Sequence, residues 1–94
     1  MAISQKSNAS SNPIFNGDHQ INVYPNPADD FINILSTNPV ARIEIISLLG
    51  QVIISENTEA QSYKLDISEL NLGLYVVKVL TKDGNTHFKK ILVR

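Results

Sequence analysis

The stretch ARIEIISLLGQVIIS, residues 41–55, decides the fold class. Its first half alternates isoleucine with charged side chains, the two-residue period of a β-strand that buries one face. Wound as a helix, the stretch would be apolar on nearly all sides with Gly50 near its middle, and both features disfavour a helix. Gly50 therefore predicts a turn between two strands, at residues 41–48 and 51–56.

The same period recurs on either side of this hairpin. The runs FINIL (31–35), YKLDI (63–67) and YVVKVL (75–80) also alternate, and their β-branched and aromatic residues favour strands. The runs QVIIS (51–55) and HFKKILV (87–93) are apolar on both faces, which predicts strands covered on two sides, or a bulge. Together these runs indicate about seven short, mainly antiparallel strands in an all-β protein, a β-sandwich or a small barrel.

Turn residues fit this strand count. Asp83-Gly84, within KDGN, is a hairpin signal because both central positions of the favoured turn require positive φ. Gly73 predicts a turn before the strand at Leu74. The segment DISEL (66–70) is the one place where we expect a single helical turn, with Ser68 as its candidate cap.

The composition changes near residue 20. Residues 4–20 are rich in serine and asparagine and carry few apolar side chains, so they cannot bury enough surface to offset the entropy of ordering. We therefore expect residues 1–20 to form a disordered linker and residues 21–94 to form one folded domain.

The segment Tyr24-Pro25-Asn26-Pro27 opens this folded part. Each proline fixes its own φ, favours an extended residue before it and lacks an N–H to donate. The segment should therefore be a stiff, non-helical collar at a sheet edge or just outside the sheet. Asn26 is expected to bond the local backbone and set the turn.

Charge and composition argue against several classes of function. The net charge of −1 does not fit a nucleic-acid-binding protein or a polybasic membrane patch. No apolar stretch approaches the roughly 20 residues needed to span a bilayer. The chain has no cysteine, so it has no disulfide, no thiolate metal site and no thiol nucleophile.

Side chains that carry catalysis or bind cofactors are sparse. His19 and His87 have no partner at metal-ligand spacing, and we expect both to be solvated. Asp29 and Asp30, as successive strand residues, should point to opposite faces and so give no acid–base pair. A calcium site would need both of them and Asp83 to converge. We therefore predict a protein that is not an enzyme and holds no cofactor or metal.

Two surface features remain. Lys89, Lys90 and Arg94 make the last strand basic, which either solubilises a terminal strand and discourages edge pairing or forms a recognised surface. The three tyrosines offer rings that stack on sugars, but at least two of them alternate with aliphatic residues, which favours a place in the core.

Four blocks of the sequence carry a family resemblance: VYPNPADDFINI, ARIEIISLLGQVI, LDISELNLGLYVVKV and KDGNTHFKKILV. In this order and spacing, over residues 22–94, they resemble the type IX secretion C-terminal sorting domain (type A) of Bacteroidetes-group bacteria. The residues that match its pattern are Tyr24, Pro25, Asn26, Pro27, Leu49, Gly50, Asp66, Ile67, Ser68, Leu70, Gly73, Tyr75, Gly84, Lys89 and Lys90. The chain departs from the pattern at Ser47, where aspartate is common, and at Leu72, where a small residue or proline is common.

The resemblance implies an immunoglobulin-like sandwich that forms the C-terminal part of a larger exported protein, joined through residues 4–20 to an N-terminal cargo domain. It implies recognition in the periplasm by the type IX apparatus, passage with an outer-membrane shuttle, and removal by a surface signal peptidase. The protein would be periplasmic in transit, then surface-bound or secreted.

On this basis we expect recognition by binding, without chemistry. The expected recognition residues are Pro25, Asn26, Pro27, Gly73, Asp83, Gly84, Lys89, Lys90 and Arg94. The collar would hold the cargo linker clear of the last strand, and exposed edge strands allow self-association. Two alternatives stay open: an immunoglobulin-like carbohydrate-binding or adhesin module of a surface protein, and a structural spacer domain.

Overall fold

The computed structural model describes residues 20–94. Its strands, in chain order, are β1 (Ile21–Tyr24), β2 (Phe31–Ser36), β3 (Val40–Ser47), β4 (Val52–Asn57), β5 (Ser62–Asp66), β6 (Gly73–Thr81) and β7 (Thr86–Val93). All pairings between these strands are antiparallel. The linker expected at residues 1–20 lies, except for Gln20, outside the described residues, and so does His19.

The strands form two sheets, one ordered β1-β2-β5 and the other β4-β3-β6-β7. The prediction of a seven-stranded immunoglobulin-like sandwich is therefore confirmed. The β3-β6-β7 group corresponds to the three-stranded CFG sheet of that fold, and β4 extends this sheet at the free side of β3. Residues 20–94 contain no helix that is long and apolar enough to cross a bilayer.

The core lies between the sheets, where the inward residues of each alternating strand meet. The predicted inward isoleucines of β2 and β3 are fully buried, and Val77 and Val79 of β6 are buried with them. Each such side chain contributes about 1.5–3 kcal/mol through its burial. The predicted faces of the strands are therefore correct, because a one-residue slip in register would expose all of these side chains.

Two hairpins of the four-stranded sheet share one turn geometry. The N–H of Gly50 donates to the carbonyl of Ser47 at 2.9 Å, and the N–H of Gly84 donates to the carbonyl of Thr81 at 3.0 Å. Each glycine follows the two central residues of its turn and has a φ near +90°. The turn predicted at Gly50 is confirmed. In the second hairpin the central residues are Lys82 and Asp83, so the prediction of Asp83-Gly84 as the central pair is wrong by one position.

The two strands that are apolar on both faces are not covered on both faces. The register between β3 and β4 shifts between Ile45 and Ile46, which confirms the bulge expected for this segment. Val52 of β4 and Phe88 of β7 are exposed, however, so two-sided coverage is wrong for both strands. β4 leaves Val52 and Ile53 exposed to solvent, and β7 leaves Phe88 and Leu92 exposed.

Three smaller expectations also differ from the structure. The turn after β5 is capped by Asp66, whose carboxylate accepts from the N–H of Ser68 at 2.8 Å; Ser68 is not the cap. Asp29 and Asp30 precede β2 in a bend, so strand alternation does not apply to them. His87 is half-buried, and its Nε2 is buried without a hydrogen-bond partner among the described residues, so the expectation of a solvated side chain is wrong.

Candidate functional site

The segment Pro25–Ala28 lies along the outer edge of β7. It follows β1 directly, and both of its X–Pro bonds, Tyr24-Pro25 and Asn26-Pro27, are cis. Because neither proline has an N–H, the segment cannot pair with β7 as a regular strand. The contacts are made instead by the side chain of Asn26 and the backbone of Ala28.

The Asn26 side chain substitutes for a neighbouring strand. Its Nδ2 donates to the carbonyl of Lys90 at 3.2 Å, and its Oδ1 accepts from the N–H of Leu92 at 3.0 Å. These two backbone groups lie on the edge of β7 that faces away from β6. The expectation that Asn26 bonds the local backbone is therefore wrong: it joins the first family motif to the last.

Ala28 continues the same contact. Its N–H donates to the carbonyl of Leu92 at 2.8 Å, and its carbonyl accepts from the N–H of Arg94 at 2.9 Å. The Ala28 side chain is fully buried, and an isolated parallel bridge joins it to Val93. Four hydrogen bonds thus fasten the entry of the domain to its last strand. The segment expected to form a collar lies at a sheet edge, as predicted, and contacts the last strand. The linker that it should hold clear of that strand lies outside the described residues.

Most of the expected recognition residues gather at this end of the sandwich. Gly73 pairs with Val93 at the start of β6. The Arg94 side chain donates through Nε to the Asp29 carboxylate at 3.4 Å, and both side chains are well exposed. Lys90 points outward from the sheet and is exposed. Lys89 pairs with Val77, points toward the inner face and is half-buried.

Asp83 and Gly84 lie at the opposite end. They follow β6, whose nine residues span roughly 26 Å from Gly73 at a rise of about 3.3 Å per residue. The Asp83 carboxylate accepts from the Thr81 hydroxyl, the Asn85 backbone, and the side chains of Asn85 and Asn38. Hydrogen bonds from Thr81 and then Asn85 hold the pKa of Asp83 below its usual 3.8. These contacts make Asp83 an organiser of the β6–β7 turn.

The outer face of the four-stranded sheet has a polar half and an apolar half. In the polar half, Glu44 lies between Arg42 and Lys78, with nitrogen–oxygen distances of 3.7 and 3.8 Å. The apolar half lies at the Gly73 end, and the loops that adjoin it carry the most exposed leucines, Leu49 at 90% and Leu72 at 77%. The sequence alone does not mark Leu49 or Leu72 as functional, although Leu72 departs from the family pattern. The apolar residues on both faces of the runs at 51–55 and 87–93 are the signal for Val52 and Leu92.

Among the described residues, we find one further group of surface side chains, on the three-stranded sheet. A shallow pocket on the three-stranded sheet is lined by Asp30, Phe31, Lys64, Asp66 and Ser68, with the Lys64 ammonium 4.1 Å from the Phe31 ring centroid. Within residues 20–94, no three carboxylate or imidazole side chains are grouped as a metal site requires. Asp29, Asp30 and Asp83 do not converge.

The tyrosines do not form a stacking platform. Tyr75 is buried in the core, and its hydroxyl donates to the carbonyl of Asn71 at 2.8 Å. Tyr63 is half-buried beside the core, as expected from the alternation. Only Tyr24 is exposed, at 43%.

Comparison with known proteins places this arrangement in context. The sequence profile of the family described as "Secretion system C-terminal sorting domain" matches residues 22–94, which confirms the resemblance drawn from the four sequence blocks. Ulvan lyase NLR42 of Nonlabens ulvanivorans is 29% identical over 75 residues, covering 78% of this chain and 14% of the relative. Beta-agarase D of Zobellia galactanivorans is 31% identical over 74 residues, covering 79% of this chain and 15% of the relative.

One solved structure supports the fold. PorZ of Porphyromonas gingivalis, an essential bacterial surface component of the type-IX secretion system, superposes with a TM-score of 0.65 at 17% identity. The match covers 81% of this chain and 12% of PorZ. The chain thus spans about one seventh of each curated relative, and the matched region in each is of the size of a single domain.

Proposed function

This chain belongs to the secretion system C-terminal sorting domain family, and from that membership we propose that it is the type IX sorting signal of a longer exported protein. The observation that carries the proposal is the extent of the match, because residues 22–94 include nearly the whole described fold. The domain acts by being bound: the secretion apparatus recognises its surface, and the domain itself carries out no reaction.

The longer protein would have two parts, one that is exported as cargo and one that directs the export. Residues 21–94 form the sorting domain, and residues 1–20 form the linker to an N-terminal cargo domain. Two relatives that carry enzyme names match this chain over only 14% and 15% of their lengths, which fits a shared tail on different cargo. The outer-membrane shuttle and the surface signal peptidase are the proposed partners. The route passes through the periplasm to the cell surface or the medium.

The recognised surface, in this proposal, lies where the first and last family motifs meet. It includes Asn26 with its flanking prolines, Gly73, and the exposed cations Lys90 and Arg94. The hydrogen bonds of Asn26 and Ala28 support this choice because they hold the edge of β7 in a fixed position beside these groups. Lys89 faces the inner side of the sheet and would act by supporting β7. Asp83 and Gly84 would act by shaping the distant turn.

A fusion protein tests the proposal. The full chain is joined to the C-terminus of a periplasm-directed fluorescent reporter and expressed in a bacterium that has a type IX system. We expect the reporter to reach the cell exterior, and to remain in the periplasm of a strain that lacks the apparatus. Retention in the periplasm of both strains would overturn the proposal.

Point variants then separate recognition from folding. Lys90→Ala removes an exposed cation and should reduce export while leaving the thermal midpoint unchanged. Lys64→Ala, an exposed lysine on the other sheet, is the matched control and should be exported normally. Deletion of Lys89–Arg94 should abolish export. Because this deletion removes strand pairs between β7 and β6, it tests folding as well as recognition.

The carbohydrate-binding alternative makes a different prediction. It requires the isolated domain to retain a glycan through an exposed aromatic side chain, and Tyr24 is the exposed tyrosine of the described residues. Glycan-array binding that is lost in Tyr24→Ala, with no export of the reporter fusion, would favour that function over sorting.

A further inference from the structure

We propose that a component of the secretion apparatus docks on the apolar half of the outer sheet face. The docking site on that partner would be an apolar groove with carboxylates at its rim. The inference rests on the proposed function and adds to it the chemistry of the partner. We call this surface the apolar patch; its exposed members are Leu48, Leu49, Val52, Ile53, Leu72, Leu74 and Leu92.

The strand registers bring these residues together at one end of the four-stranded sheet. Leu74 and Leu92 are directly opposite one another on β6 and β7. Ile46, at the centre of the sheet, pairs with Val52 on one side and with Val76 on the other. These residues share the outward face, because alternate residues of β3, β6 and β7 are buried and Val52 lies opposite the outward-facing Ile46.

Two loops extend the apolar patch beyond the ends of the strands. Leu48 and Leu49 are the two central residues of the β3–β4 turn, exposed by 64% and 90%, and Leu72 precedes Gly73 at the start of β6. Apolar residues at a turn contribute nothing to the core, and a turn tolerates polar residues at these positions. Single exposed leucines are ordinary, but seven exposed apolar residues that adjoin one another mark an interaction surface.

The charges around the apolar patch indicate the character of its partner. The three segments that form it, residues 48–53, 72–74 and 90–92, contain no carboxylate and one cation, Lys90. Lys90 pairs with Val76 on the outward face, so its ammonium lies at the edge of the apolar surface. A complementary partner therefore offers apolar side chains at the centre and carboxylates at the rim.

The patch is continuous with the contact between Asn26 and β7. Leu92 belongs to both, since its side chain is in the patch and its N–H is held by Asn26. On the other side, the Arg42–Glu44–Lys78 group borders the apolar surface with charges that are already paired within the sheet. Phe88, opposite Lys78 on β7, is exposed beside this group. The docking surface thus lies at the end of the domain where Asn26 contacts β7.

Leucine-to-serine variants of the reporter fusion test the inference. The double variant L48S/L49S changes two turn residues and should leave the thermal midpoint of the isolated full chain unchanged, while export falls by about tenfold or more. Leu72→Ser should act in the same direction. The matched control is Leu35→Ser, an exposed leucine on β2 of the other sheet, which should be exported like the wild type.

The outcomes separate this inference from the proposed function. Export of the wild-type fusion with equal export of L48S/L49S would overturn the docking surface and leave the sorting function intact. Equal losses in L48S/L49S and L35S would also overturn it, because the effect would not be specific to the patch. Light scattering of the full chain tests a second copy as the occupant: a dimer that L48S/L49S abolishes, with export unchanged, would assign the patch to self-association instead.

Discussion

Replacing Asn26 by aspartate tests whether Pro25–Ala28 holds the last strand. The variant keeps the size of the side chain and the oxygen that accepts from the N–H of Leu92. It loses the Nδ2 donor, which lies 3.2 Å from the Lys90 carbonyl, and sets a carboxylate oxygen against that carbonyl. One lost hydrogen bond costs about 0.5–1.5 kcal/mol. With the added repulsion we expect the free energy of unfolding to fall by about 1–2 kcal/mol.

Urea unfolding and hydrogen exchange of the full chain measure this loss. Each kcal/mol lost from the free energy of unfolding lowers Tm by roughly 4–8 °C in a domain of this size. The N–H of Leu92 should exchange about tenfold faster in the variant, since about 1.4 kcal/mol is a factor of ten in the opening equilibrium. Asn22→Asp is the matched control: it makes the same change of charge at an exposed position of β1.

Acidification gives a second test of the same variant. Protonation of the introduced carboxyl restores an O–H donor toward the Lys90 carbonyl, so the difference between Asn26→Asp and the wild type should narrow below about pH 4. Equal stabilities of Asn26→Asp and Asn22→Asp at neutral pH, with unchanged exchange at Leu92, would refute a stabilising role for the Asn26 contact.

Three further predictions concern the turns and the open edge. Because hydrogen bonds from Thr81 and Asn85 lower the pKa of Asp83 below 3.8, its carboxylate stabilises the turn above that pH. This contribution is lost as the pH falls through the lowered value. The protection factor of the Asn85 N–H, which corrects for the pH dependence of intrinsic exchange, should then fall, and Asp83→Asn should remove that fall. Gly84→Ala should lower the free energy of unfolding by about 1–2 kcal/mol in a thermal melt, because Gly84 has a φ of +90°, which L-residues rarely adopt. The added methyl group meets no atom within 4 Å, so the cost is backbone strain alone. Ser55→Lys on the unpaired edge of β4 should reduce any self-association seen by light scattering, and an unchanged oligomer would exclude that edge.

The sequence predicts the buried faces well because those faces obey a local rule. A strand with one buried face alternates in hydrophobicity, so Ile43 and Ile45 could be placed in the core without knowing any partner strand. The turn at Gly50 was equally local, since its glycine needs a positive φ. The off-by-one error at Asp83-Gly84 arose because the same residues fit two hairpin turns that differ in which residue has positive φ.

The candidate site could not be predicted in the same way, because its contacts join distant parts of the chain. Asn26 and Lys90 are 64 positions apart, and only the closed sandwich brings them together. From sequence, an asparagine between two prolines indicates a local turn. The non-local role required knowledge of the strand order, in particular that β7 is an edge strand lying beside the end of β1.

The strands that are apolar on both faces show the same limit and also point to function. A strand covered on two sides and a strand with one apolar face left for a partner have the same sequence pattern. In this domain Val52 and Leu92 remain exposed although the sandwich is closed, which supports the docking surface that we propose. The apolar residues that do not stabilise the domain are therefore the ones whose replacement should alter export without altering stability. Replacement of Asn26, by contrast, should alter both export and stability. One set of reporter fusions with both kinds of variant can therefore separate recognition from folding.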